Sequence, residues 1–139
     1  MKYINTYLIF NGNCRQAMEF YHQCLGGHLD VMSYGDAPGM PADFPKEAKS
    51  WLIHARLQMK TQVLMASDTR PDMLTTPGNN FFISINCETI EESEKLFKSL
   101  SQNGQVEMPL QETFWAHRFA MFTDKFWIKW MLNVEKPKE

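Results

Sequence analysis

The sequence predicts an α+β fold built from two βαβββ modules, and three observations carry that expectation. The chain has 139 residues, of which 44% are hydrophobic and 22% charged. That is one domain's worth of globular composition, with enough apolar material for a core. Two stretches with helical apolar spacing each follow a strand-like run and stop at glycine. Three further strand-like runs come after each helix, so the element order repeats within the chain.

The elements follow in order. Tyr3 to Phe10 is β-branched and aromatic and predicts a strand. Asn11-Gly12-Asn13 interrupts it, and Asn13 with Gln16 resembles a capping box. Cys14, Ala17, Met18, Tyr21, Cys24 and Leu25 then form one apolar stripe on a helix, which Gly26-Gly27 stops. His28 to Tyr34 alternates as a second strand. Gly35 to Ser50 contains Pro38, Pro41 and Pro45 and predicts a long loop. Such a loop fits either a lid or a surface insertion. Trp51 to Met59 and Gln62 to Ser67 form a hairpin across Lys60-Thr61. Asp68 to Asn79 is a second loop, with Asp68 placed to cap or turn.

The second module begins with a strand from Asn80 to Asn86. Thr89 and Glu92 make a Thr-x-x-Glu box at the start of a helix. Ile90, Ser93, Phe97 and Leu100 are its expected inner stripe. Its acidic residues come early and its lysines late, as the helix macrodipole favours. Asn103-Gly104 ends it. Strands are expected at about Gln105 to Leu110, Ala116 to Thr123 and Phe126 to Val134. The expected organisation is one domain over 1–139, with module one at about 1–68 and module two at about 79–134. A ferredoxin-like single sheet needs fewer strands than this chain supplies.

Charge and composition narrow the function. The net charge of −2 lacks the basic excess that phosphate neutralisation requires, so no nucleic-acid partner is expected. No apolar run approaches the ~18 residues of a membrane span, and the first residues do not resemble a signal peptide. A cytoplasmic protein with no membrane partner is the expectation. Three cysteines without a CxxC pair disfavour a disulfide framework or a zinc knuckle. The 10 methionines fit either a Met-rich core or the lining of a cavity for small apolar ligands.

Tyr7-Leu8-Ile9-Phe10-Asn11-Gly12-Asn13-Cys14-Arg15-Gln16-Ala17-Met18-Glu19-Phe20-Tyr21, followed by Leu25-Gly26-Gly27, resembles the PhnB-like family. Leu64-Met65-Ala66-Ser67-Asp68 does so too. The most specific block is Gln111-Glu112-Thr113-Phe114-Trp115-Ala116-His117, with Thr123-Asp124-Lys125-Phe126 and Trp130-Met131-Leu132-Asn133. The resemblance implies the vicinal-oxygen-chelate superfamily of glyoxalase I, the bleomycin-resistance proteins and the extradiol dioxygenases. It implies a glyoxalase/bleomycin-resistance-like fold, with modules forming a curled mixed sheet around a cavity, in a homodimer. The chain departs from the family where Ala120 and Trp127 replace glycine. Trp tolerates the positive φ of a glycine turn poorly.

Superfamily enzymes hold a divalent metal with one ligand from each of four strands. The positions this implies here are Asn5, Met65, Phe82 and Trp130. A thioether and two aromatic rings cannot replace N or O donors, so no metal and no cofactor are expected. Aligned and alternating positions predict a cup lined by Tyr7, Met65, Phe82 and Trp130, with Trp115 and His117 completing the ligand-binding set. A cup filled by its own side chains is the other reading. The function expected is metal-independent binding of a small apolar or aromatic molecule. The alternative is a lyase, isomerase or dioxygenase-type enzyme, using His117 or Glu112 as base.

The remaining histidines, His22, His28 and His54, have no HxxxH spacing; His22 is expected to be solvated. Cys14 stands at a helix start, where a dipole favours thiolate, but a buried structural thiol fits it better. No Walker loop, nucleophile elbow or S-adenosylmethionine-binding glycine loop occurs. The methyltransferase-like label often attached to PhnB-like proteins therefore has no support in the residues.

Overall fold

Among the described residues, eight strands and two helices follow one another in the repeated order that the sequence predicts. The computed structural model describes residues 1–137. The chain divides into two compact units, Met1–Thr76 and a second from Pro77 onward. Each is a four-stranded mixed sheet with one helix on one face, so the fold is α+β.

In the first unit, β1 (Thr6–Phe10), α1 (Cys14–Leu25), β2 (His28–Ser33), β3 (Leu52–Gln58) and β4 (Val63–Asp68) form a sheet of order β1-β4-β3-β2. β1 runs parallel to β4, and the remaining pairs are antiparallel. Alternation decides the faces. Leu8, Phe10, Ala55, Leu57, Leu64 and Ala66 are buried with Cys14, Ala17, Met18 and Tyr21 of α1. Tyr7, Ile9, Met65 and Arg56 take the other face by the same period.

The second unit repeats the arrangement. β5 (Ile83–Asn86), α2 (Ile90–Leu100), β6 (Gln105–Gln111), β7 (Ala116–Thr123) and β8 (Lys129–Glu135) give the order β5-β8-β7-β6. β5 and β8 are parallel. Ala120, Phe122, Trp130, Leu132 and Val134 are buried with Leu96 and Leu100 of α2.

Several local expectations change. The first strand begins at Thr6 rather than Tyr3, and β5 begins at Ile83 rather than Asn80. The last begins at Lys129, because Phe126 to Ile128 is consumed by a turn around Asp124. The inner stripe of α2 is Ser93, Leu96 and Leu100, with Phe97 only half-buried. The Gly35–Ser50 loop contains two short 3₁₀ turns, Tyr34–Asp36 and Lys46–Ala48.

Capping differs between the helices. Thr89 accepts from the Glu92 amide at 3.0 Å, and the Glu92 carboxylate accepts from the Glu88 amide at 2.8 Å, close to the expected box. Asn13 makes no side-chain cap. Asp68, at the end of β4, takes over that task. Its Oδ1 accepts from the amides of Gly12 (2.8 Å) and Cys14 (2.9 Å), and its Oδ2 from Leu52 (2.8 Å). One buried carboxylate thus ties the start of α1 to β3 and β4. Gly27 and Gly104, each between a helix and the next strand, have no room for a Cβ. It would press into the carbonyl oxygens of Gln58 and Thr123, respectively.

Candidate functional site

The candidate surfaces are the two sheet faces that carry no helix. In the first unit, strand register places side chains in rows across that face. Tyr7, Met65, Arg56 and Asp30 are successive register partners on β1, β4, β3 and β2. Ile9 and Ser67 begin the next row, where Met32 lies opposite His54. The Tyr7 and His54 rings approach to 6.4 Å between centroids. Two sequence-predicted residues, Tyr7 and Met65, are therefore immediate neighbours. Arg56, Met32 and His54 join them without having been expected.

In the second unit, Ser84, Met131, Met121 and Met108 form one row across all four strands. Asn86, Asn133, Phe119 and Gln111 form the next. Trp115 meets Phe119 edge-to-face at 5.3 Å and Phe114 at 4.8 Å, which places its half-exposed indole beside these rows. Asn133 donates to the Asn86 side chain at 3.0 Å, while its own buried Oδ1 has no hydrogen-bond partner. Phe82 precedes β5, with the Lys129 ammonium 5.1 Å from its ring centroid. Lys129 also donates to Glu107 (2.7 Å) and Thr123 (2.9 Å). Burial opposes ionisation of Glu107. The Lys129 and Thr123 hydrogen bonds outweigh it and hold the carboxyl below its usual range.

Trp130 is not with Phe82. It is 1% exposed and lies on the helix-covered face, where its indole N–H donates to Asp124 Oδ2 at 2.8 Å. The register pairs Ile83 with Trp130, so the position beyond the sheet plane belongs to Met131. In β8, Trp130, Leu132 and Val134 alternate with Lys129, Met131, Asn133 and Glu135. Alternation therefore puts Trp130 on the apolar, helix-covered side, against the place that the aligned metal positions imply for it.

The methionines resolve in favour of surfaces. Only Met18 belongs to the buried core, while Met32, Met65, Met108, Met121 and Met131 stand on the helix-free faces. Nothing in the linear sequence marks the Met108–Met121–Met131 row, because its members come from three strands and meet only through register.

His117 sits half-buried at an irregularity in the β7–β8 pairing, between Ala116 opposite Glu135 and Arg118 opposite Val134. Glu112 pairs with Lys136 at 3.4 Å and its side chain is 62% exposed. His22 is half-buried, with Nδ1 lacking a partner, rather than solvated. Burial pushes the Cys14 thiol up to about 12, with the Asp68 charge adding to the effect and Arg15 opposing it. It is a structural thiol and not a nucleophile. Trp127 adopts φ 70° while 60% exposed, so the turn keeps the glycine conformation without the glycine.

The four positions that the resemblance assigns to metal ligands, Asn5 and Phe82 just before β1 and β5 and Met65 and Trp130 within β4 and β8, supply no matching donor set. Met65 offers a thioether beside the Arg56 guanidinium. Phe82 faces an ammonium, and Trp130 is in the core. Moving one place to Met131 adds a second thioether. Among the described residues no three His, Cys, Asp or Glu side chains gather where they could hold an ion. These residues do not fit a catalytic divalent cation.

Comparison with known proteins accords with this architecture. The family model described as the Glyoxalase/Bleomycin resistance protein/Dioxygenase superfamily matches residues 3–132. Protein YjdN of Escherichia coli (strain K12) is 34% identical over 143 residues, covering 97% of each chain. Protein PA1353 of Pseudomonas aeruginosa has a crystal structure with a TM-score of 0.88 at 46% identity, over 99% of this chain and 100% of that one. A structure of the PhnB protein from Bacillus cereus superposes with a TM-score of 0.73 at 26% identity, over 96% and 99% of the two chains.

Proposed function

The chain belongs to the Glyoxalase/Bleomycin resistance protein/Dioxygenase superfamily, and from that premise we propose that it binds a small apolar or aromatic molecule without a metal ion. The observation that carries this reading is the lining of the helix-free faces. A row of three half-buried methionines lies beside Phe119 and Trp115 in the second unit. Tyr7, Ile9 and Met65 provide the counterpart in the first. Methionine adapts its shape to a ligand, and aromatic rings supply contact area at low entropic cost. A few polar points orient the bound molecule, as in most small-molecule sites.

In this reading each helix-free face offers its own contacts, Tyr7 and Met65 on that of module one, and Phe82, Trp115 and Met131 on that of module two. His117 acts as an orienting group. Trp130 supports the sheet from behind. The same reading makes the protein a cytoplasmic homodimer of one 1–139 domain. Each sheet ends in edge strands, β1 and β2 in one and β5 and β6 in the other, and a second copy relieves exposed edges. Sedimentation equilibrium is expected to return the mass of two chains.

The binding test is a thermal-shift and tryptophan-fluorescence screen of naphthyl, indolyl and phenyl compounds, run on chelator-treated protein. Stabilisation by members of the panel, unchanged by added manganese, nickel or zinc, is the expected result. Binding that requires one of those ions contradicts the proposal.

A further inference from the structure

On the helix-free face of the first unit, Arg56 makes no ion pair with any of the described residues. Arg56 lies in β3, an interior strand, between Ala55 and Leu57, which are fully buried on the helix side. Its guanidinium therefore projects from the middle of the opposite face, and the residue is half-buried. Its Nη2 donates to Gln58 Oε1 at 2.8 Å, a neutral acceptor. Its register partner Asp30 is the obvious counter-ion, yet that carboxylate is exposed and turns to His28 at 3.1 Å. Among the described residues the ion pairs join His28 to Asp30, Arg70 to Asp72, Lys129 to Glu107 and Lys136 to Glu112. Arg56 is in none of them.

A guanidinium carries five N–H donors in a planar fork that matches the paired oxygens of an oxyanion. Half-burial removes part of its hydration, and one bond to Gln58 replaces little of it. On the same row, Met65 is its register partner and Tyr7 lies one strand further on, with His54 two residues away along β3. Apolar contact area and a donor fork are thus side by side.

We infer that Arg56 recognises an oxyanion, so that the ligand of this face is an aromatic or apolar molecule bearing a carboxylate or phosphoryl group. The inference rests on the proposed binding function and narrows its substrate class. The apolar body lies against Met65 and Tyr7, and the anionic end meets the guanidinium.

The test titrates the full-length, chelator-treated protein with 2-naphthylacetate, with its neutral amide and with 2-naphthyl phosphate, by calorimetry. A charge-assisted bond makes the carboxylate bind about ten- to a hundredfold more tightly than the amide. At an unchanged melting temperature, Arg56→Gln is expected to bring that ratio close to one, by weakening the carboxylate far more than the amide. Arg56→Lys is expected to retain part of it, since the charge stays and the fork is lost. The carboxylate-to-phosphate ranking identifies which oxyanion the site prefers. Equal affinity for acid and amide, or a ratio that persists in Arg56→Gln, overturns the inference and leaves apolar binding intact. Failure of all three probes overturns apolar binding, and the inference with it.

Discussion

Replacing Trp130 separates a core residue from a ligand contact. The indole is 1% exposed, and its N–H donates to Asp124 at 2.8 Å. Asp124 uses its other oxygen to accept from the amides of Phe126 (2.7 Å) and Ile128 (3.1 Å), so the ring is bonded to the group that shapes the β7–β8 turn. Truncating a buried large aromatic to alanine costs about 3–5 kcal/mol. Loss of the indole donor adds about 1–2 kcal/mol, because Asp124 keeps its burial and loses a bond. Trp130→Ala should therefore destabilise by about 4–7 kcal/mol, a large part of the ~5–15 kcal/mol typical of a domain. Trp130→Phe keeps most of the ring and should cost about 1–3 kcal/mol. Urea denaturation followed by circular dichroism measures both. If Trp130→Ala stays within about 1 kcal/mol of the parent and loses ligand binding instead, Trp130 faces the ligand and the assignment of faces is wrong.

Three further outcomes follow from the same geometry. Asp68→Ala should cost about 3–5 kcal/mol in urea denaturation, since three amides lose one acceptor and those of Cys14 and Leu52 are in buried residues; a loss below about 1 kcal/mol refutes its role as the tie. At position 127, Gly should be more stable than Ala by about 1 kcal/mol, because both remove the indole and only Ala retains the cost of positive φ. Burial raises the folded thiols of Cys14 to about 12 and Cys87 to about 11, with the charges of Asp68 and Glu92 as the next causes. Folded values above the unfolded one mean that their stabilisation is intact below about pH 8.5 and falls as pH rises toward those values. Urea midpoints across that window should decline less steeply in Cys87→Ala than in the parent.

The order of elements is legible in the sequence because each module repeats the same punctuation. An apolar strand leads into a helical stripe, and glycine follows where the chain passes under the next hairpin. Gly27 and Gly104 hold equivalent places for one physical reason, the carbonyl against which each is packed. The candidate site is legible only in part. Tyr7 and Met65 are register partners on the helix-free face, where alternation along β1 and β4 puts them. Trp130 is not legible in the same way, since its place in the cup follows from the aligned metal positions, whereas its alternation with Lys129, Asn133 and Glu135 puts it on the buried side. The methionine row and Arg56 depend on pairing between distant strands. Asp68 reads as a turn or cap residue, but the helix it caps lies more than 50 residues earlier in the chain.

The central claim is that the helix-free faces bind an apolar ligand with no metal ion. Methyl-labelled methionine gives 10 reporters, one of them in the core and five on those faces. The measurement is a methyl-resolved NMR titration of chelator-treated protein with 2-naphthylacetate. The prediction is that Met65 on the face of the first unit, and Met108, Met121 and Met131 on the face of the second, shift with saturation, while Met18 does not move. Unchanged methionine signals, or shifts that arise only after a divalent ion is added, would contradict it.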